Sequence, residues 1–296
     1  MPPGSLEMII PRKDTRIIVQ GITGKQGSFW TERMQEYGAA VVGGVNPKKS
    51  GTIHCGVPVY GSAGEAANDG FDASVLFIPP LGVKAAVLDA IEAGAKMVLV
   101  LTEHVPVQDV MYVLAAAKEA GTRIVGPNTA GCVTVGETFM GFMPAFNQRI
   151  FKKGSVGVLS RSGSLGTLLC QNIVSAGFGQ SAFVGIGGDT IIGTTTRDAV
   201  EALDKLPGTE AIVLVGEIGG DMEESAAEYI AGMEKPVVAF IAGSAAPSGK
   251  KMGHAGAIIS GGRGTYGSKK AALESAGVHV LATPVHVGDA LREALG

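Results

Sequence analysis

The chain has 296 residues, of which 46% are hydrophobic, 5% are aromatic and 45 are glycines, and its formal net charge is −3. This length allows two ordinary domains, each with its own core. The negative charge argues against nucleic acid as a partner, and no apolar run approaches the roughly 20 residues that span a bilayer, which argues against a membrane.

Short apolar strands alternate with alanine-rich amphipathic helices in the first half of the chain. The predicted strands are 16–20, 40–45, 73–78, 97–101 and 123–125, with helices at 83–93 and 107–120. This alternation is typical of a doubly wound parallel sheet. A polar stretch with Gly and Pro at 134–154 interrupts it, and we place a domain boundary there, between residues 134 and 135.

A second alternation follows that stretch. Its predicted strands are 155–159, 180–184, 211–215 and 237–241, with helices at 165–176, 196–203, 222–233 and 287–295. The two series predict an α/β protein with a Rossmann-like domain over residues 1–134 and a flavodoxin-like doubly wound domain over residues 135–296.

A glycine-rich turn, Gly21-Ile-Thr-Gly-Lys-Gln-Gly27, follows the first predicted strand and leads into a helix. Such a turn lets backbone N–H groups approach a phosphate at the helix N-terminus. The spacing differs from G-x-G-x-x-G, and Lys48 and Lys49 follow the second strand where a dinucleotide-binding protein would have a carboxylate. These features favour a ligand with several phosphates, such as coenzyme A, over NAD. An NAD-dependent dehydrogenase and a purely structural turn are the alternatives.

A histidine lies between glycines in a long loop, at Gly253-His-Ala-Gly256, and Lys250 and Lys251 precede it. An uncovered imidazole in this cationic setting could accept and pass on a phosphoryl group. Three further turns follow predicted strands: Ser160-Arg-Ser-Gly-Ser164, Gly185-Ile-Gly-Gly-Asp189 and Gly216-Glu-Ile-Gly-Gly220. Because the carboxyl ends of parallel strands meet at one sheet edge, these turns would present hydroxyls, N–H groups and carboxylates to the histidine. A flexible surface loop is the alternative.

Seven motifs in this order resemble those of the α subunit of succinate–CoA ligase (succinyl-CoA synthetase) and related ligase subunits, from about Thr15 onward. They are Gly21-Ile-Thr-Gly-Lys-Gln-Gly27, Gly43-Gly-Val-Asn-Pro47, Gly126-Pro-Asn128, Ser160-Arg-Ser-Gly163, Gly185-Ile-Gly-Gly-Asp189, Gly216-Glu-Ile-Gly-Gly220 and Gly253-His-Ala-Gly256.

The resemblance implies an NDP-forming acid–CoA ligase and a set of site residues. A nucleoside triphosphate would phosphorylate His254, paired with Glu217, and acyl phosphate and thioester would follow. The residues implied for coenzyme A are Thr23, Gly24, Lys25, Gln26, Lys49, Leu101, Thr102 and Glu103. Those implied for the phosphoryl group are Ser162, Gly163 and Ser164, and those for the acid are Thr167 and Asn128. No metal ion is expected on this chain.

The resemblance also implies a partner. No ATP-grasp domain is recognisable in this sequence, and in the family a β subunit carries the site for ATP or GTP with Mg²⁺. The chain would therefore be active only in an αβ or α2β2 assembly. Three scattered cysteines without metal-ligand spacing indicate a reducing compartment. We expect the cytoplasm, or the mitochondrial matrix in a eukaryote, although no transit peptide is evident.

Two departures from the family pattern leave the acid open. Thr167 and Leu168 stand where relatives have Tyr-Glu, and Asn128-Thr-Ala-Gly131 replaces Asn-Cys-Pro-Gly. Succinate is the first expectation, and malate, citrate or itaconate-like acids are the alternatives, since the smaller Thr167 leaves room for a bulkier acid and its hydroxyl could bond an extra oxygen. The missing glutamate also leaves open a CoA-binding module that has lost catalysis, or a Leu168 that merely packs in the core.

Overall fold

The computed structural model describes residues 7–247, 249–259 and 264–296, and the chain divides into two compact units. One comprises Met1–Phe146 and Ile191–Gly193, and the other comprises Asn147–Thr190 and Thr194–Gly296. The main division therefore falls at Asn147, inside the polar stretch at 134–154. The sequence analysis places the boundary between residues 134 and 135, where a β-hairpin passes from its first strand into its turn.

The first unit contains a seven-stranded sheet. Its strands are β1 (Arg16–Gln20), β2 (Ala40–Val45), β3 (Ile53–His54), β4 (Val57–Tyr60), β5 (Ala73–Leu76), β6 (Met97–Val100) and β7 (Arg123–Val125). They lie in the order β3-β4-β2-β1-β5-β6-β7, and only β3 with β4 is antiparallel. Strands β5 and β6 are buried at every position, which is why they read as continuous apolar runs.

The helices of this unit are α1 (Lys25–Tyr37), α2 (Ala63–Ala66), α3 (Val83–Glu92) and α4 (Val107–Ala120). Val110, Val113 and Ala117 of α4 recur at the three- and four-residue spacing of one helix face and pack into the core with the strands. A hairpin, β8 (Gly131–Thr134) with β9 (Thr138–Gly141), follows. The sequence analysis missed this hairpin and the short strands β3 and β4.

The second unit contains a series of parallel strands. They are β10 (Lys153–Ser160), β11 (Gln180–Gly185), β12 (Ala211–Glu217), β13 (Val237–Ala242) and β14 (His279–Leu281), in the order β14-β13-β12-β10-β11. The helices are α5 (Gly163–Ser175), α6 (Thr196–Lys205), α7 (Met222–Ile230), α8 (Tyr266–Ser275) and α9 (Val287–Leu295). Strand β14 and helix α8 were not predicted.

Each sheet reverses its winding direction at its first strand. In the first unit β1 lies between β2 and β5, and in the second β10 lies between β11 and β12. Ligands of open α/β sheets bind beyond the carboxyl ends of the strands at such a switch point. The predicted α/β class with two successive doubly wound domains is confirmed. None of the helices within the described residues is long and apolar enough to cross a membrane.

Candidate active site

His254 and Glu217 form a hydrogen-bonded pair at the end of β12. Nδ1 of His254 lies 2.7 Å from Oε2 of Glu217. The carboxylate side chain is 6% exposed and the imidazole side chain is 28% exposed. A carboxylate bonded to Nδ1 fixes the orientation of the ring and leaves Nε2 as the nitrogen that can meet a reactant. The structure thus brings together the two residues that were predicted as partners.

The charges around the ring raise the pKa of His254 above its ordinary value. The hydrogen bond to Glu217 is the main cause; partial burial of the ring opposes it. The charges of Glu217 and Asp189 add to the rise, whereas the charge of Arg161 opposes it. Because only the neutral imidazole is nucleophilic, the ring becomes reactive as the pH rises through this raised pKa.

Glycines let the backbone approach the imidazole and its neighbours closely. A Cβ atom on Gly188 would lie 2.4 Å from Cγ of His254, and one on Gly256 would lie 2.4 Å from Nη2 of Arg161. The backbone N–H of Gly256 donates to the carbonyl of Gly188 at 3.1 Å, which fixes the histidine segment against the turn after β11. The described part of this loop therefore packs on the sheet edge, which favours a site over a loop without fixed contacts.

The N-terminus of α5 faces the same cavity as the imidazole. The hydroxyl of Ser162 caps the helix by accepting the N–H of Leu165 at 3.4 Å, and it lies 3.3 Å from the hydroxyl of Ser164. The cavity measures about 240 Å³. Its lining residues are Ser162, Ser164, Leu165, Glu217, Ile218, Ala242, Gly243, Met252, Gly253, His254 and Ala257. Gly163 is the first residue of α5. A helix N-terminus beside a nucleophilic ring suits a negatively charged group on that ring.

Arg161 is a site residue to which the sequence analysis gave no role. Its side chain is 2% exposed, its Nη2 lies 3.4 Å from Oε1 of Glu217, and its Nη1 donates to the carbonyl of Gly219 at 3.3 Å. The sequence does contain one indication of this role. Arg161 stands between two serines at the end of a buried strand, where a charged side chain needs a partner.

Thr167 and Leu168 lie on the second turn of α5. The Thr167 hydroxyl donates to the carbonyl of Gly163 at 2.8 Å, so what it retains for a ligand is acceptor capacity, which does not suit a carboxylate oxygen. This acceptor suits the hydroxyl group of a hydroxy acid, so the expectation that Thr167 bonds an extra substrate oxygen stays a prediction. Leu168 is 40% exposed, and the alternative that it is a core residue is wrong.

In the first unit, the glycine turn after β1 opens α1. Gly21 has φ of +81°, and a Cβ atom there would lie 2.4 Å from the carbonyl oxygen of Phe77. Gly24 is the N-cap of α1 and gives no side-chain cap, so the N–H groups that follow at Lys25 and Gln26 have no capping partner from a side chain. Both of these residues are exposed. Uncapped N–H groups at a helix N-terminus suit an anion.

Further predicted residues lie at neighbouring strand ends of this unit. Thr23 accepts a hydrogen bond from the side chain of Asn46 after β2, and Lys49 is exposed in the short helical turn Pro47–Lys49. After β6, the hydroxyl of Thr102 donates to the carbonyl of Ile78 at 2.7 Å. These contacts tie the ends of β1, β2, β5 and β6 into one edge.

Asn128 also belongs to the first unit, whereas Thr167 belongs to the second. The N–H of Asn128 donates to the carbonyl of Thr102 at 3.0 Å, and its φ is +56°. Leu101 is 7% exposed, and the side chain of Glu103 is 65% exposed. Among the residues that the structure describes, no group of three or more His, Cys, Asp or Glu could hold a metal ion.

Two family models match the chain, one in each unit. The model described as "CoA binding domain" matches residues 12–104, and the model described as "CoA-ligase" matches residues 159–279. The α subunit of an ADP-forming succinate–CoA ligase from Methanothermobacter thermautotrophicus is 48% identical over 290 residues, which cover 98% of both chains. A subunit of an ADP-forming sulfoacetate–CoA ligase from Bilophila wadsworthia is 42% identical, over 97% of this chain and 99% of that one.

A solved structure has the same fold over nearly the whole chain. The ATP citrate lyase of Methanothrix soehngenii, in complex with citrate and coenzyme A, matches with a TM-score of 0.89 and 23% identity. The match covers 97% of this chain and 50% of that chain, so this chain spans about half the length of the lyase polypeptide. At this identity the similarity shows the fold alone.

Proposed function

We propose that this chain, which belongs to the family of succinate–CoA ligase α subunits, is the CoA-binding and phosphohistidine-bearing subunit of an NDP-forming acid–CoA ligase. One observation carries the proposal. Nδ1 of His254 is held by Glu217 at 2.7 Å, and the imidazole lines one cavity with Ser162 and Ser164 at the N-terminus of α5. This is the arrangement that a transiently phosphorylated histidine needs.

His254 would act as a nucleophile and then as a leaving group. Its Nε2 attacks the terminal phosphorus of a nucleoside triphosphate, the bond from that phosphorus to the bridging oxygen breaks, and the nucleoside diphosphate leaves. A carboxylate oxygen of the acid then attacks the same phosphorus, and the N–P bond breaks to give an acyl phosphate. Finally the CoA thiolate attacks the acyl carbon and phosphate leaves. The relay converts a carboxylate, a poor electrophile, into a good one.

The surroundings of His254 suit both halves of this relay. Glu217 holds the proton on Nδ1 and so keeps Nε2 free for phosphorus. The first turn of α5, with Ser162, Gly163 and Ser164, would compensate the charge of the phosphoryl group through its N–H groups and hydroxyls. Stabilisation of that charge keeps the phosphoryl group on the protein until the acid arrives.

The first unit would bind coenzyme A. The N–H groups after Gly24, together with Lys25 and Gln26, offer donors and positive charge to phosphates, and Lys49 adds a cation at the neighbouring strand end. Thr23 lines the same turn. We assign Leu101, Thr102 and Glu103, at the end of β6, to the adjoining part of the cofactor.

Binding of the nucleotide, and of part of the acid, would require a partner subunit. We propose that a β subunit with an ATP-grasp domain binds ATP or GTP with Mg²⁺, in an αβ or α2β2 assembly in the cytoplasm. Succinate is the first assignment for the acid, since the M. thermautotrophicus relative is a succinate–CoA ligase subunit. The sulfoacetate relative and the Thr167-Leu168 pair keep other small acids as the alternative, with Thr167 and Asn128 as the residues on this chain that would contact the acid.

Mass spectrometry of the complex tests this function. The chain is purified with its β partner and measured intact at neutral or mildly basic pH, before and after addition of Mg-ATP or Mg-GTP. We expect one acid-labile phosphoryl group on His254, and His254→Asn should abolish both labelling and thioester formation while CoA binding persists. His279→Asn is the matched control, because that exposed ring lies 3.8 Å from Glu293 at the surface.

Two results would contradict the proposal. Thioester formation that persists in His254→Asn would exclude the histidine relay. A complex that binds CoA but takes no phosphoryl group from either nucleotide would instead favour a CoA-binding module that has lost catalysis.

A further inference from the structure

Behind the His254–Glu217 pair, four buried charged side chains form a row of alternating sign. This buried charge row consists of Glu217, Arg161, Glu223 and Lys269, whose side chains are 6%, 2%, 0% and 0% exposed. Burying an ion costs several kcal/mol even after relaxation, so such a row is weak evidence for a stabilising role. Because this row ends at His254, a role in the reaction of that histidine explains the buried charges better than stability does.

Glu223, in the first turn of α7, joins the two ends of the row. Its Oε1 accepts the backbone N–H of Glu217 at 3.2 Å and lies 3.9 Å from Nη1 of Arg161. Its Oε2 lies 2.5 Å from Nζ of Lys269. A Cβ atom on Gly216 would lie 2.6 Å from Oε1 of Glu223, so the glycine is what lets this carboxylate reach the strand end.

Lys269, on α8, uses its donors within the protein. Its Nζ donates to Oε2 of Glu223 at 2.5 Å, to Oε2 of Glu224 at 2.9 Å and to the carbonyl of Gly220 at 3.1 Å. An ammonium group has three N–H donors, and these acceptors account for all of them. Lys269 therefore has no donor left for a substrate, and it fixes the turn that follows β12.

We propose that Lys269 and Glu223 are positioning residues that hold Glu217 and Arg161 in the arrangement that orients His254. Among the described residues, Oε1 of Glu217 and Nε of Arg161 are buried without a hydrogen-bond partner, so Arg161 holds that carboxylate oxygen through charge, at 3.4 Å. With Lys269 in place, the charge of Glu223 is balanced and Arg161 stays beside Glu217. Without it, Arg161 is the one cation of the row, and it is drawn to Glu223 and away from Glu217.

The displacement of Arg161 affects the imidazole of His254 through Glu217. The charged groups that face His254 are Glu217 from β12, Arg161 from the turn after β10 and Asp189 from the turn after β11. When the Glu217 carboxylate is no longer held, its bond to Nδ1 weakens. That bond is the largest cause of the raised pKa of His254, so its loss outweighs the smaller opposite effect of moving the Arg161 charge away, and the pKa falls toward its ordinary value. The ring also loses the orientation that presents Nε2. The inference depends on the proposed function in one respect, namely that the reaction measured is the phosphorylation of His254.

Lys269→Met, assayed in the complex with the β partner, tests the proposal. Loss of a group that orients a reactive ligand costs about 10- to 100-fold, so we expect the rate of His254 phosphorylation to fall at least tenfold at neutral pH with the KM for nucleotide unchanged. The acid limb of the rate should move to lower pH. Lys270→Met is the matched control: Lys270 is the neighbouring lysine on α8, its side chain is 42% exposed, and it lies 3.6 Å from Glu274 at the surface. It should behave as the parent.

Lys269→Gln decides the case if Lys269→Met does not fold, since its amide keeps N–H donors for Glu223 and Gly220 and removes the charge. It should lower the rate and shift the acid limb in the same direction. A folded complex of either variant with the parent rate and pH profile would overturn the proposal. NMR titration of His254 in the full chain tests the positioning proposal separately from the proposed function. A lower pKa of His254 in the variants supports positioning even if no chain, parent included, becomes phosphorylated. An unchanged pKa overturns the positioning proposal.

Discussion

Replacement of Gly188 by alanine should disable the histidine without disturbing the fold. The φ of Gly188 is outside the left-handed region, so its backbone accepts alanine. The new Cβ would lie 2.4 Å from Cγ of His254, whereas ordinary contact begins at 3.4 Å, so the ring has to recede by about 1 Å. Such a shift disturbs the 2.7 Å bond to Glu217 and moves Nε2 from its place in the cavity. A displacement of about 1 Å in a reacting group costs roughly 100-fold in rate.

The assay is the initial rate of acid-labile phosphate incorporation into this chain, in complex with its β partner and Mg-ATP or Mg-GTP. Gly188→Ala should lower that rate about 100-fold while CoA binding, a property of the other unit, stays at the parent level. Gly267→Ala is the control, because its Cβ would meet nothing closer than 3.9 Å, in the first turn of α8. If the two variants phosphorylate at rates within twofold of each other, the close packing of the ring on Gly188 has no catalytic importance.

Two further predictions concern the carboxylate that pairs with His254 and the glycine turn that opens α1. Glu217→Gln should move the acid limb of phosphorylation to lower pH, because a neutral amide raises the pKa of His254 less than a carboxylate does. The raised pKa of His254 stabilises the folded state below the pKa of the unfolded chain, and this stabilisation is lost as the pH rises through the folded-state pKa. The loss of unfolding free energy in Glu217→Gln, measured in urea, should therefore be about 1–2 kcal/mol larger at about pH 5.5 than at about pH 9. An equal loss at both pH values would contradict the assignment. Gly21→Ala should weaken CoA binding in calorimetry, since its Cβ would lie 2.4 Å from the Phe77 carbonyl oxygen. Gly121→Ala shares the left-handed backbone, with φ of +74°, but has open space around its Cβ, so equal losses of CoA affinity in both would refute the steric argument.

Local patterns were enough to predict the doubly wound fold. Alternating apolar strands and amphipathic helices indicate crossovers on a parallel sheet, and the strand-end turns follow from that rule. The same reasoning predicted a carboxylate, from Asp189 or Glu217, at the sheet edge of His254, and the family resemblance then singled out Glu217. The short strands β3, β4 and β14 were missed, since two to four residues carry too little periodicity to be distinguished from turns.

The rest of the site could not be read from the sequence because it depends on distant contacts between ordinary residue types. Glu223 and Lys269 are 46 positions apart, and on their helices each resembles a solvated charge. Their complete burial follows from how α7 and α8 pack together. The hydroxyl of Thr167 poses a similar problem, since its bond to Gly163 depends on side-chain rotation within α5.

The candidate site has a consequence for how the protein acquires activity as it folds. The bond from His254 to Glu217 spans 37 positions, that from Arg161 to Gly219 spans 58, and that from Lys269 to Glu223 spans 46. Contacts of such separation form late, because the chain entropy of closing each loop is lost before the contact can compensate for it. A nascent or partly folded chain therefore has a histidine but no phosphorylation site. The first appearance of phosphohistidine during refolding would mark the moment at which the ends of β10, β11 and β12 have come together.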